Sequence, residues 1–160
     1  MIILKLITIL INLFSNNIHN IYYPFNWFST LHAARISLAF KNKSEHESTV
    51  LGVRRLNFLS NVVGYLVMAW SGSIIINNLV NEPYPQLLSV KPLINYLSVH
   101  FLIMNIPIPS NKVLDLSLSL IDGILRSGAL VNGVQSIRSH VDFKHSLFAQ
   151  IVIGTFAPSG

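Results

Sequence analysis

The chain contains no cysteine, and only 11% of its 160 residues are Asp, Glu, Lys or Arg. The missing thiols exclude disulfide scaffolds, thiolate metal centres and cysteine nucleophiles. The scarcity of charge excludes more, because a soluble domain carries about 25% charged residues to keep its surface wetted. Acids are scarcer than bases, six against eleven, which leaves a net charge of +5. The bases are nevertheless too few and too scattered to form a stripe that tracks a nucleic-acid backbone. What is abundant is apolar. A hydrophobic fraction of 51% and a mean hydropathy of +0.54 exclude disorder and point to an integral membrane protein.

The apolar residues fall into runs. Met1–Phe14 and Ile21–Phe40 are split by the polar stretch Ser15-Asn16-Asn17-Ile18-His19-Asn20. The first run is too short to cross about 30 Å of hydrocarbon, so residues 1–20 read as an interfacial or leader segment. The second opens on the interfacial aromatics Tyr22, Tyr23, Phe25, Trp27 and Phe28 and ends in Arg35, Lys41 and Lys43, which makes it a first span. Residues 41–55 are the clearly hydrophilic part and read as a loop outside the bilayer. Leu56–Val80 is free of formal charge and is the clearest span; Asn81-Glu82-Pro83-Tyr84-Pro85 stops it. Leu93–Ile106 reaches membrane length when extended through Gln86–Ser89, and Val113–Val134 supplies a fourth span. Ser146–Gly160 begins a fifth apolar helix that rises only about 22 Å, which reads as a truncated sequence. The expected architecture is therefore all-α, with four transmembrane helices and the start of a fifth over residues 21–160. Five Lys or Arg within residues 35–55, against Lys91 alone in 81–92, place the 41–55 segment in the cytosol.

Polar residues inside the spans are the candidates for function. Ser60, Gly64, Ser71 and Asn78 share one helical face. That face is either a packing seam or, with a bend at Ser71-Gly72, the side of a permeation path. Asp115, Ser119, Asp122 and Arg126 form a narrow stripe on the fourth span, extended by Gly133. Charges in a membrane are expensive, so the stripe should face a helix bundle or a water-filled cavity. Asp122 and Arg126 are four apart and can pair. The alternatives are a structural ion pair, or an ion pathway or anionic-lipid site using Arg126. His32, His100, His140 and His145 have no metal-ligand spacing, and no phosphate loop, nucleophile elbow or enzyme-like acid pair is present. Neither an enzyme, a metal nor a cofactor is expected.

The segment Leu125-Arg126-Ser127-Gly128-Ala129-Leu130-Val131-Asn132-Gly133-Val134, followed by Ile151-Val152-Ile153-Gly154-Thr155 and Gly160, resembles the trimeric intracellular cation channels. In that family a Lys-Glu-Val-x-Arg motif on the fourth helix precedes a Gly-Val or Gly-Ile pair by the spacing that separates Arg126 from Gly133-Val134. Ala69-Trp70-Ser71-Gly72 before Asn81-Glu82-Pro83 resembles the family's second helix, with its Gly-Gly kink and Gly-Glu-Pro turn. Tyr23-Pro24-Phe25-Asn26 and Arg54-Arg55 resemble the lead-ins to its first two helices. Asp122 stands where the family has lysine and Gly123 where it has glutamate, so only Arg126 carries over from the pair that holds a phosphoinositide headgroup.

The resemblance implies a chain equivalent to the first four helices, and part of the fifth, of a seven-helix subunit. It implies a homotrimer with a pore in each subunit, in the endoplasmic reticulum or nuclear membrane. The implied activity is passive K⁺ flux that balances charge during Ca²⁺ release. The site residues it implies are Ser71, Gly72, Gly154 and Gly160 at pore or kink positions, and Arg126 and Asp122 as pore charges, with Arg126 on lipid. A non-conducting membrane scaffold or assembly partner is the alternative.

Asn42-Lys43-Ser44 is the one N-glycosylation acceptor pattern in the chain. With the 41–55 segment in the cytosol, Asn42 carries no glycan in cells. An endoglycosidase-sensitive mass shift that disappears in Asn42→Gln would reverse the orientation.

Overall fold

The computed structural model describes residues 2–52, 54, 56–107 and 112–159. Helix α1 (Ile2–Ser15) leads into an antiparallel hairpin of β1 (Asn17–His19) and β2 (Tyr23–Asn26), which feeds α2 (Trp27–Val50). Then come α3 (Phe58–Val80), the single turn α4 (Pro85–Leu88), α5 (Lys91–Asn105), α6 (Lys112–Ser139) and α7 (Leu147–Phe156), closed by a 3-10 turn at Ala157–Ser159. The fold class is all-α with one small hairpin. That hairpin occupies the polar stretch expected merely to separate two apolar runs. His19 closes its turn, with Nδ1 accepting from the backbone N–H groups of Ile21 and Tyr22 at 3.2 and 3.0 Å.

Short polar side chains set the helix starts. Asn26 Oδ1 accepts from Ser29 N at 2.7 Å to begin α2, Asn57 Oδ1 from Ser60 N at 2.8 Å to begin α3, and Ser146 Oγ from Ala149 N at 3.2 Å to begin α7. Asn81 ends α3 in the left-handed conformation at φ 54°, and Pro83 and Pro85 follow. Thus α3 matches the span expected over Leu56–Val80 to within two residues.

Two expectations need correction. Residues 41–50 are not loop but the second half of α2, which ends only at Leu51, before Gly52 at φ +65°. No Gly or Pro interrupts Trp27–Val50, and Lys41 anchors the extension by donating from Nζ to the carbonyls of Ile103 and Ile106 at 3.1 Å each, at the end of α5. The second correction is to the Gln86–Ser89 extension of the third run. Ser89 is extended (ψ 141°), so α4 and α5 are separate, and the 15 residues of α5 rise about 22 Å.

Among the described residues α3 is the one helix both long and apolar enough to cross a membrane. It runs unbroken through Ser71-Gly72. Helix α2 is long enough but carries Lys41, Lys43, Glu45 and Glu47 in its second half, and the 28 residues of α6 include Asp122 and Arg126.

The main core lies among α2, α3 and α5. Ala33, Ile36, Tyr65, Ala69, Tyr96 and Val99 form it, with Phe40 and Trp70 packed against it. A smaller cluster of Val80, Ile137 and Ile153 joins α3, α6 and α7. By contrast Leu59, Val63, Val67 and Ile74 present one face of α3 outward. Helix α1 is tied to α2 through Phe14 and Phe28, ring centroids 5.4 Å apart.

Glycines on α6 divide by surroundings. A Cβ on Gly133 would lie 3.0 Å from Ala157 Cβ and 3.2 Å from Ile153 Cγ2, whereas Gly123 and Gly128 face open space. Gly133→Val should therefore force α6 from α7 and cost about 1–3 kcal/mol. Gly123→Ala and Gly128→Ala should each stabilise by up to about 1 kcal/mol through helix propensity. Thermal unfolding of the three variants checks this, and a neutral Gly133→Val would refute the close packing.

Candidate functional site

The fourth-span stripe meets the rest of the molecule at Asp122. This carboxylate is only 8% exposed. Arg126, one turn later on α6, donates from Nε to Asp122 Oδ2 at 2.7 Å, and His32 of α2 donates from Nδ1 to Oδ1 at 2.9 Å. Arg126 also donates from Nη1 to the carbonyl of Pro158, which fastens the C-terminal turn over the cluster. Both carboxylate oxygens are thus engaged, by an intrahelical partner and by one 90 residues away.

A cavity of about 360 Å³ opens beside this cluster, with His32, Trp70, Ser73, Gln86, Tyr96 and Arg126 among its lining residues. Gln86 donates from Nε2 to Ser73 Oγ at 2.9 Å. Its Oε1 is buried with no partner, the one such side-chain atom among the described residues. The cavity therefore offers one cation already bound to protein and one acceptor with unused capacity.

Two further polar groups lie along the α2–α5 contact. Asn95, 0% exposed, accepts at Oδ1 from Tyr23 Oη at 2.6 Å and Thr30 Oγ1 at 3.2 Å, and donates from Nδ2 to Ser29 Oγ at 2.9 Å. One helical turn and a half further on, His100 donates from Nε2 to Asn61 Oδ1 at 2.7 Å and shares a 2.7 Å hydrogen bond at Nδ1 with Ser37 Oγ. Its ring stacks on Tyr65 with centroids 4.0 Å apart. Ser37, His100 and Asn61 follow the nucleophile, base and orienting order of a hydrolytic triad. Ser37 is 0% exposed, however, so no substrate carbonyl reaches its Oγ. Among the described residues no group of three His, Asp or Glu is placed to hold a metal ion.

The remaining sequence-derived positions separate. Ser71 is half-buried and Gly72 buried within α3, away from Asp122 in the hydrogen-bond network. Gly154 lies against Val134, a Cβ there meeting Val134 Cγ2 at 3.2 Å, so the Gly133-Val134 and Ile153-Gly154 motifs pack on each other. Gly160 and the side chain of Asp115 lie outside the described residues. Of the small-residue face on α3, Gly64 meets a neighbouring helix closely, at the Phe40 ring, while Ser60 and Asn78 are exposed. His32, Asn95 and Ser37 are the residues that sequence reasoning missed. Asn95 and Ser37 did carry a signal, a lone polar side chain in an apolar run. His32 carried none, since no spacing rule links it to Asp122.

No family model, curated protein or solved structure matches this chain.

The Arg126 side chain is 36% exposed, so losing Asp122 strands a partly desolvated guanidinium, at a cost of about 1–3 kcal/mol. Asp122→Ala should therefore reduce folded yield more than the combined Asp122→Ala, Arg126→Ala change, because the single change strands Arg126. Expression of the three proteins, scored by size-exclusion recovery, decides the matter. A milder single variant would mean that Arg126 does not depend on Asp122.

Proposed function

We propose that this chain is part of a polytopic helical membrane protein resembling the trimeric intracellular cation channels. Its proposed activity is passive monovalent-cation flux, chiefly K⁺, supplying counter-ions during Ca²⁺ release from an intracellular store. The proposal includes the endoplasmic reticulum or nuclear membrane as location and a homotrimer with one pore per subunit.

The observation that carries the reading is the Asp122–Arg126–His32 cluster, held inside a helical bundle beside a cavity of about 360 Å³. Ionisable residues placed there mark ion or proton pathways. The uncommitted Gln86 Oε1 in the same cavity supports it, since alkali cations exchange hydration water for neutral oxygen ligands. The outward apolar face of α3 supports the membrane setting.

In this arrangement Arg126 is the barrier. Its guanidinium neutralises Asp122 and raises the electrostatic cost for a cation in the cavity. A conducting state requires Arg126 to leave Asp122 or the Pro158 carbonyl, freeing the carboxylate to face the ion. The same closure favours the second reading, a non-conducting scaffold or assembly partner, because neither Asp122 oxygen is unengaged. Phosphoinositide binding by Arg126 belongs to the proposal in the same way: a phosphate would replace Asp122 as the partner of the guanidinium.

Planar-bilayer recording of the full reading frame, with K⁺ as charge carrier, tests the proposal. Asp122→Asn should lower K⁺ conductance several-fold, and Arg126→Gln should raise it. An inserted, monodisperse protein that passes no K⁺ current would leave the scaffold reading standing.

A further inference from the structure

A second cavity, of about 320 Å³, lies where the charged second half of α2 passes the start of α3. Its lining includes three charged side chains, Lys43, Glu47 and Arg54, and the hydroxyl residues Ser44 and Ser48. None of the three charges makes an ion pair with another described residue. The rest of the lining is apolar and includes Phe40, Val67 and Met68. Gly64 lets the Phe40 ring pack closely on α3, since a Cβ there would stand 3.0 Å from it.

We infer that this cavity is a phospholipid site that selects a phosphoserine headgroup. The argument is charge complementarity. The rim presents two cations and one anion; a phosphatidylserine headgroup presents two anions, phosphate and carboxylate, and one ammonium. Lys43 and Arg54 take the phosphate and the carboxylate, and Glu47 takes the ammonium. The acyl chains leave along Phe40, Val67 and Met68, and 57% of Val67 is exposed on the outward face of α3. The position agrees with such a ligand, because the charge balance of the sequence puts the 41–55 segment on the cytosolic side, and the cytoplasmic leaflet is where anionic lipids attract basic residues. A phosphatidylglycerol headgroup leaves Glu47 without a partner and facing a phosphate. A phosphatidylethanolamine headgroup leaves one of the two cations unpaired. The inference rests on the membrane setting of the proposed function but not on conduction, and it involves neither Arg126 nor the cavity beside Asp122.

Native mass spectrometry of the detergent-purified protein, titrated with phosphatidylserine, phosphatidylglycerol and phosphatidylethanolamine of matched acyl chains, tests it. Phosphatidylserine should be retained about tenfold more than either of the others. Glu47→Gln should reduce phosphatidylserine to the phosphatidylglycerol level, and Lys43→Gln with Arg54→Gln should abolish retention of both anionic lipids. The control pair Arg138→Gln, in the last turn of α6, with Lys144→Gln, in the turn that follows it, should change nothing. Equal retention of phosphatidylserine and phosphatidylglycerol by the unaltered protein would overturn the selection. Competition by free O-phosphoserine at lipid-like concentrations would show a headgroup site with no role for the apolar wall and would overturn the lipid assignment. Alkaline carbonate extraction separates this from the wider reading. A chain that stays in the membrane but shows no phosphatidylserine preference loses only the site, whereas a chain released into the aqueous phase loses the membrane setting as well.

Discussion

The Asp122 carboxylate, almost fully buried between His32 and Arg126, ties α2 to α6 and both to the C-terminal turn. A charge in that position has no cheap state on its own. Only the rotation of α6 that points Asp122 at α2 satisfies it, and that rotation also brings Gly133 and Val134 to face Ile153 and Gly154. The ion pair is therefore better understood as a device for register than as a source of stability. Desolvating two charges roughly cancels their attraction, while a wrong pairing leaves one of them stranded. The carbonyl of Pro158 matters for the same reason: it takes up guanidinium capacity that Asp122 leaves unused.

The α2–α5 contact follows the same logic with neutral groups. Asn95 and His100 are both buried, and each satisfies its hydrogen-bonding groups on neighbouring elements, through Tyr23, Ser29 and Thr30 in one case and Ser37 and Asn61 in the other. Between these polar points the interface is filled by Ala33, Ile36, Tyr96 and Val99. The interior thus holds matched polar pairs, while the outward face of α3 carries large aliphatic side chains.

That distribution connects the two cavities. One has His32 and Arg126 in its lining, both held by the Asp122 carboxylate. The other is lined by Lys43, Glu47 and Arg54, none of which forms an ion pair with another described residue, together with apolar side chains. Helix α2 contributes to both: His32 near its start belongs to the first, and Lys43 and Glu47 near its end to the second. Because Lys41 is fixed to the carbonyls closing α5, the intervening stretch is a rigid connection between them.

The features legible in the sequence were the local ones. Leu56–Val80 stands out as α3 because its apolar run is continuous and its limits, Asn57 and Asn81-Glu82-Pro83, are chemical stop signals within a turn of the helix ends. Asp122 and Arg126 were a readable pair because four residues is one helical turn. The second half of α2 was misread, since a cluster of charges looks alike in a solvated loop and in a helix, and what holds the helix there is an anchor on α5 reached from 62 residues away. The hairpin was missed because its closing contact is a histidine ring bonding to its own backbone. His32 as the second partner of Asp122, Ser37 beside His100, and the gathering of Lys43, Glu47 and Arg54 around one cavity were decided by tertiary structure alone. Helical periodicity records which residues share a face, but which faces meet depends on the packing of the whole bundle.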